Sequence, residues 1–134
     1  MATLFTKIIN GDIPCYKVAD NYKFVAFFDI NPLREGHVLI VPRKEIDYFF
    51  DLDEDTLAEM IVFAKRVAVA MKEVIDCKRI GVAVIGLEVP HAHIHLVPMD
   101  TMDDINFSRQ RVKISPERFT ELAAAIAERI NLKD

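Results

Sequence analysis

The sequence predicts an α+β domain: a mainly antiparallel sheet of about five strands, one long central helix and a C-terminal helix. Three observations predict it. Short runs rich in aromatic and β-branched residues occur at both ends of the chain at hairpin spacing, one long stretch between them has apolar residues three and four apart, and a second such stretch closes the sequence. A length of 134 residues, 51% of them hydrophobic, suits one domain over 1–134 with one core.

The elements follow in order. Leu4 to Ile9 is a short apolar opening closed by the turn cluster Asn10-Gly11-Asp12-Ile13-Pro14. Tyr16 to Ala19 and Tyr22 to Asp29 are strand candidates, with Asp20-Asn21 as the tight connection of a hairpin. After the break at Asn31-Pro32, the run His37-Val38-Leu39-Ile40-Val41-Pro42 is apolar and bounded by Gly36 and Pro42, as expected of a strand covered on both faces. Asp53 is an N-cap with Glu54 and Asp55 behind it and Leu52 placed to staple onto Leu57. Leu57, Met60, Ile61, Ala64, Val67, Ala68, Met71 and Ile75 then mark an amphipathic helix ending near Asp76. Arg79 to Ile85 and His91 to Val97 return to strand composition around Gly86. Ser115-Pro116-Glu117 starts the last helix, whose apolar face is Phe119, Leu122, Ala123, Ile126 and Ile130. Between them, 99–113 reads as a solvated segment carrying Arg109, Arg111 and Lys113, with a crossing to a partner subunit as the alternative.

Composition removes several functions. Seventeen basic against 21 acidic residues give a net charge of −4, which argues against a nucleic-acid polymer as partner but leaves a small phosphorylated ligand open. No apolar stretch approaches the roughly 18 residues of a membrane span. The N-terminal residues lack a basic region followed by an apolar one, and Cys15 and Cys77 form no CxxC. These features lead us to expect a cytoplasmic protein with two reduced thiols.

Histidine is the uneven residue: three of four fall within His91-Ala92-His93-Ile94-His95. On a helix, positions two apart diverge by about 200°, whereas on a strand all three share a face at intervals of roughly 7 Å, with Ala92, Ile94 and Leu96 packed behind. Three readings compete. A purely structural one must supply each buried ring with hydrogen-bond partners. A zinc site has His-x-His but no carboxylate or thiolate in the motif, and only two of these rings with His37 converge on one ion. In the third reading a neutral imidazole attacks phosphorus while its neighbours hold phosphate oxygens and move protons, which uses every histidine present.

Gly36-His37-Val38-Leu39-Ile40-Val41-Pro42 followed by His91-Ala92-His93-Ile94-His95-Leu96-Val97 resembles the histidine triad (HIT) superfamily of nucleotide hydrolases and transferases. Phe5 to Pro14 and Ala26 to Pro32 are similar to it as well, so the resemblance covers about 4–98. It implies a homodimer whose two five-stranded sheets join into one, and a nucleotidyl hydrolase of the phosphoramidase-like branch. It acts on a purine nucleotide or nucleoside phosphoramidate through a nucleotidyl-histidine intermediate. His93 is then the nucleophile, oriented by the backbone carbonyl of His91. His95 contacts the phosphate and bridging atom, and His37 supports from the adjacent strand. Asp29 takes the position that binds ribose hydroxyls, and Ile30 lines the base pocket.

The sequence departs from the family in two places. Thr3-Leu4-Phe5-Thr6 replaces the CxxC that forms half of a structural zinc site in many bacterial members, so no metal and no other cofactor is expected. Ile85-Gly86-Leu87-Glu88-Val89-Pro90 is shorter than the usual Gly-rich loop. Glu88 and Val89 are its nucleotide-contact candidates, and Glu88 stands about where a phosphate-binding hydroxyl is common. A carboxylate there repels phosphate, so a nucleotide-binding protein of weak catalysis is the alternative function, with a His-ligated zinc hydrolase behind it.

Overall fold

The computed structural model describes residues 2–130; Met1 and 131–134, hence both ends of the expected 1–134 domain, lie outside the described residues. Five strands form one antiparallel sheet: β1 (Lys17–Asp20), β2 (Phe24–Phe28), β3 (Val38–Pro42), β4 (Arg79–Ala83) and β5 (Ile94–Met99), in the spatial order β1-β2-β3-β5-β4. The helices are α1 (Leu4–Ile9), α2 (Glu54–Val74) and α3 (Pro116–Ala127). The predicted α+β class and its five strands are present. Among the described residues no helix is long and apolar enough to cross a membrane.

Alternation along the strands explains the layers. In β3 every residue is buried: Val38 and Ile40 face the larger core with α2 and α3, while Leu39 and Val41 face a smaller one under α1 with Phe5, Val25 and Phe27. Asp53 caps α2 by accepting from the Thr56 amide, and Ser115 caps α3 in the same way from Arg118, as the sequence signals require. Phe119, Leu122, Ala123 and Ile126 seat α3 on the core shared with α2 and the sheet. Both cysteines are free.

Several local expectations change. The opening segment is a helix, capped by Thr3, whose hydroxyl accepts from the Thr6 amide. At six residues it is too short for apolar periodicity to reveal. The β1–β2 connection is longer than Asp20-Asn21, because the Asn21 side chain accepts from the amides of both Lys23 and Phe24 and delays β2. Helix α2 stops at Val74, where Ile75 turns extended.

The largest difference concerns the triad. Only His95 lies in the β3–β5 ladder, which ends at the Ile40–Ile94 pair. His91 and His93 belong to the approach to β5. There the Ala92 amide donates to Ile46 O in the loop after β3, and the His91 carbonyl is taken by a side chain. Facing nevertheless follows the expected alternation: Ala92, Ile94 and Leu96 join the main core, and the histidines lie on the α1 side.

The 99–113 segment is not a solvated tail. Asp104 is buried and gathers it: its carboxylate accepts from the Asp100 and Thr101 amides at 2.7 and 2.9 Å, from Arg34 at 2.7 Å and from Arg109 at 3.2 Å. Burial pushes this carboxyl up, but the two amides and two guanidinium groups prevail and hold it at about 2. From that anchor the chain runs back along the 29–36 loop within its own subunit. The Val112 amide donates to Pro32 O, and Arg111 donates to Asn31 O at 2.8 Å.

Candidate active site

Four hydrogen bonds fix the tautomers of the four histidines. His91, fully buried, points Nε2 at Pro42 O at 2.8 Å. A carbonyl only accepts, so Nε2 carries the hydrogen, and Nδ1 takes the Thr3 hydroxyl at 2.8 Å. His93 Nδ1 lies 2.7 Å from His91 O, so the hydrogen of His93 is on Nδ1 and its Nε2 holds a lone pair. His37, also fully buried, accepts the Leu33 amide on Nδ1 at 3.0 Å. Its hydrogen is therefore on Nε2 and donates to His95 Nδ1 at 3.0 Å, which leaves His95 with a donor at Nε2. Every buried side-chain polar atom among the described residues is partnered; Nε2 of His93 and of His95 have no partner among the described residues and open onto the cavity.

Desolvation favours the neutral forms of His37, His93 and His95. Burial, the neighbouring imidazoles and Arg111 push His37 and His95 down to about 3, and burial lowers His93, with only partial compensation from the His91 carbonyl and Glu88. A histidine whose folded value lies below the ordinary one loses its basic form only with a midpoint below pH 6.5. Any turnover limited by neutral His93 is thus expected to decline in acid with its midpoint below pH 6.5. A pH–rate profile of kcat/KM with its acid limb centred at or above 6.5 would contradict this.

The cavity has a volume of about 540 Å³, within the range of small-ligand pockets. His93, His95, Asp29, Ile30, Glu88 and Val89 all line it, whereas His91 and His37 stand behind the lining. Asp29 Oδ1 accepts the Asn31 amide at 2.8 Å, and Oδ2 lies 3.9 Å from both His37 Nε2 and Arg111 Nη1. Burial pushes the Asp29 carboxyl up, opposed by the Asn31 amide and Arg111 and assisted by Glu88. Glu88 is exposed at the rim, and so is Ile30, at 66%.

Phe107, Arg111 and Phe5 are among the lining residues that fall outside the sequence-derived set. Phe107 meets His95 edge-on at 4.7 Å between ring centroids and His37 at 6.3 Å, and the Arg111 guanidinium sits 5.6 Å over the Phe107 ring. The signal was available: Phe107 is the only aromatic residue between Met99 and Lys113. On the α1 side Phe5 meets His93 edge-on at 4.9 Å.

Asp29, His37 and His95 offer donor atoms within 4.8 Å of one another, a spacing a metal ion can use. The Leu33 amide on His37 Nδ1 argues against it, because it forces a hydrogen onto Nε2, the atom that would have to ligate. His37 and His95 instead form a hydrogen-bonded chain that runs from the Leu33 amide to His95 Nε2, and Asp29 Oδ2, 3.9 Å from His37 Nε2, stands outside it.

The chain is similar to known proteins over most of its length. The HIT domain family matches residues 10–102. An uncharacterized HIT-like protein of Borreliella burgdorferi is 30% identical over 135 aligned positions, covering 95% of this chain and 97% of that protein. Adenosine 5'-monophosphoramidase hnt1 of Schizosaccharomyces pombe is 29% identical over 132, covering 97% and 99%. Among solved structures, a Hit-like protein involved in cell-cycle regulation from Bartonella henselae superposes with a TM-score of 0.81 at 26% identity, covering 96% of each chain.

Proposed function

The chain belongs to the HIT domain family, and from that premise we propose that it hydrolyses nucleoside phosphoramidates or related purine nucleotides through a nucleotidyl-His93 intermediate. The observation that carries this reading is the lone pair of His93 Nε2, fixed by the bond from Nδ1 to His91 O and open to the cavity. In the first step Nε2 attacks the α-phosphorus and the bond to the leaving nitrogen breaks. His95 Nε2–H donates a hydrogen bond to the leaving nitrogen, which takes a proton from solvent as the bond breaks and departs as the amine. Water then gives its hydroxyl to phosphorus and its proton to solvent, releasing the nucleoside monophosphate. Asp29 receives the ribose hydroxyls, and Ile30 and Val89 flank the base. The S. pombe relative's name, adenosine 5'-monophosphoramidase, supports the substrate class.

Glu88 favours a second reading, a nucleotide-binding protein of weak catalysis, because its carboxylate stands on the rim of the cavity. Adenosine 5'-phosphoramidate and a dinucleoside polyphosphate separate the two. The enzyme reading expects turnover of the phosphoramidate and a gain of about tenfold or less in Glu88→Ser. AMP binding without turnover of either compound supports the second reading.

The reading includes a homodimer. β4 is an edge strand with Val82 55% exposed, and α2 leaves Ile61, Val62 and Val69 exposed. Pairing of β4 with its copy covers both and makes one continuous sheet. Sedimentation equilibrium is expected to give twice 15.3 kDa, and Val69→Asp with Val82→Lys to give the monomer. A wild-type monomer at micromolar concentration would reject it. We place the protein in the cytoplasm, in keeping with its free cysteines.

A further inference from the structure

We propose that Glu45 and Thr3 form a latch that positions the His93 imidazole, which makes both of them positioning residues for the reaction proposed above, on which this inference rests. Neither lines the cavity, so neither touches substrate. The latch begins at the Glu45 carboxylate, whose Oε1 accepts the Thr3 amide at 2.8 Å and the Thr6 hydroxyl at 2.7 Å. These bonds hold the carboxyl below its ordinary range. Thr3 Oγ1 accepts the Thr6 amide at 3.1 Å, capping α1, and its hydrogen goes to His91 Nδ1 at 2.8 Å. The His91 carbonyl in turn holds His93 Nδ1.

A second route reaches the same ring. Phe5, in the first turn of α1, packs edge-on against His91 at 5.8 Å and against His93 at 4.9 Å. A helix of six residues does not hold itself in place, so the position of Phe5 depends on what ties α1 down. Apolar packing on Val25, Phe27, Leu39 and Val41 is one tie, and Glu45 is the polar one, reaching α1 from the segment that follows β3. The latch thus steadies His91, whose carbonyl fixes the tautomer of His93, and supports Phe5, which packs on the His93 ring.

The test uses the full chain carrying Glu45→Ala or Thr3→Val, with Glu45→Gln and Thr3→Ser as conservative partners. Steady-state kinetics on adenosine 5'-phosphoramidate and 15N NMR of the histidine side chains are the readouts. Loss of the latch is expected to lower kcat about 10- to 100-fold with KM within about twofold, and Gln and Ser to restore kcat to within about threefold. His93 is expected as a single Nδ1–H tautomer in the wild type and in the conservative variants, and as a mixture in the other two. A single tautomer and unchanged kcat in Glu45→Ala and Thr3→Val overturns the proposal. So does a raised KM with the tautomer unchanged, which marks a binding effect. If either truncated variant fails to fold, Glu45→Gln must keep the tautomer and the shorter Glu45→Asp must mix it. Should the wild type leave the phosphoramidate intact, the proposed reaction fails, while the NMR comparison still decides the latch.

Discussion

His93→Asn is expected to lower kcat on adenosine 5'-phosphoramidate by at least about 1,000-fold while AMP binds within a few-fold of the wild type. The asymmetry follows from the position of the ring. In the proposed reaction His93 supplies the atom that bonds to phosphorus, whereas the nucleotide would also be held by the rest of the cavity, whose lining residues Asp29, Ile30, Val89, His95 and Arg111 are unchanged. The substitution is mild for the fold, because an Asn amide keeps a donor for His91 O in place of Nδ1. Titration calorimetry with AMP and a steady-state assay decide it together. Full turnover in His93→Asn removes the nucleophile from the account, and joint loss of binding and turnover makes His93 a structural residue.

Asp104→Ala is expected to destabilise the protein by about 2–4 kcal/mol and to open the site at the same time. The carboxylate is the shared acceptor for two amides and for Arg34 and Arg109, so its removal leaves those donors without their buried partner. The same anchor carries the segment that lays Phe107 on His95 and Arg111 beside Asp29. Released, that segment lets water reach His95 and His37, and both are expected to move up from about 3 toward ordinary histidine values. Urea unfolding gives the stability loss and histidine NMR titration gives the second effect. Because the folded carboxyl sits at about 2, below its unfolded value near 3.9, its stabilisation is present at neutral pH and is lost as pH falls from about 4 toward 2. Asp104→Ala with wild-type stability and unshifted histidines would show that the segment is held by something else.

What the sequence made legible depended on how local each signal was. The Asp53 and Ser115 caps, the apolar face of α2 and the doubly covered β3 rest on residues within a few positions of one another. The histidines were legible for the same reason, since alternate spacing implies a shared face even where the ladder has ended. The end of the ladder was not legible, because it is set by Ile46 O and Pro42 O, far away in the chain. Nor was the path of 99–113, which hangs on an Arg34–Asp104 pair 70 residues apart in a stretch whose local composition is that of a solvated segment. The Thr3–His91 bond spans 88 residues and is as invisible to periodicity.

The proposed reaction requires a covalent bond between His93 Nε2 and the α-phosphorus. It is tested most directly by mixing enzyme and adenosine 5'-phosphoramidate, quenching within the first turnover without acid, and measuring the intact mass followed by peptide mapping. A mass increase of one adenylyl group is expected on the peptide containing His93, formed and lost at rates compatible with turnover, and absent from His93→Asn. Turnover without any adduct, or an adduct on a different residue that persists in His93→Asn, would contradict it.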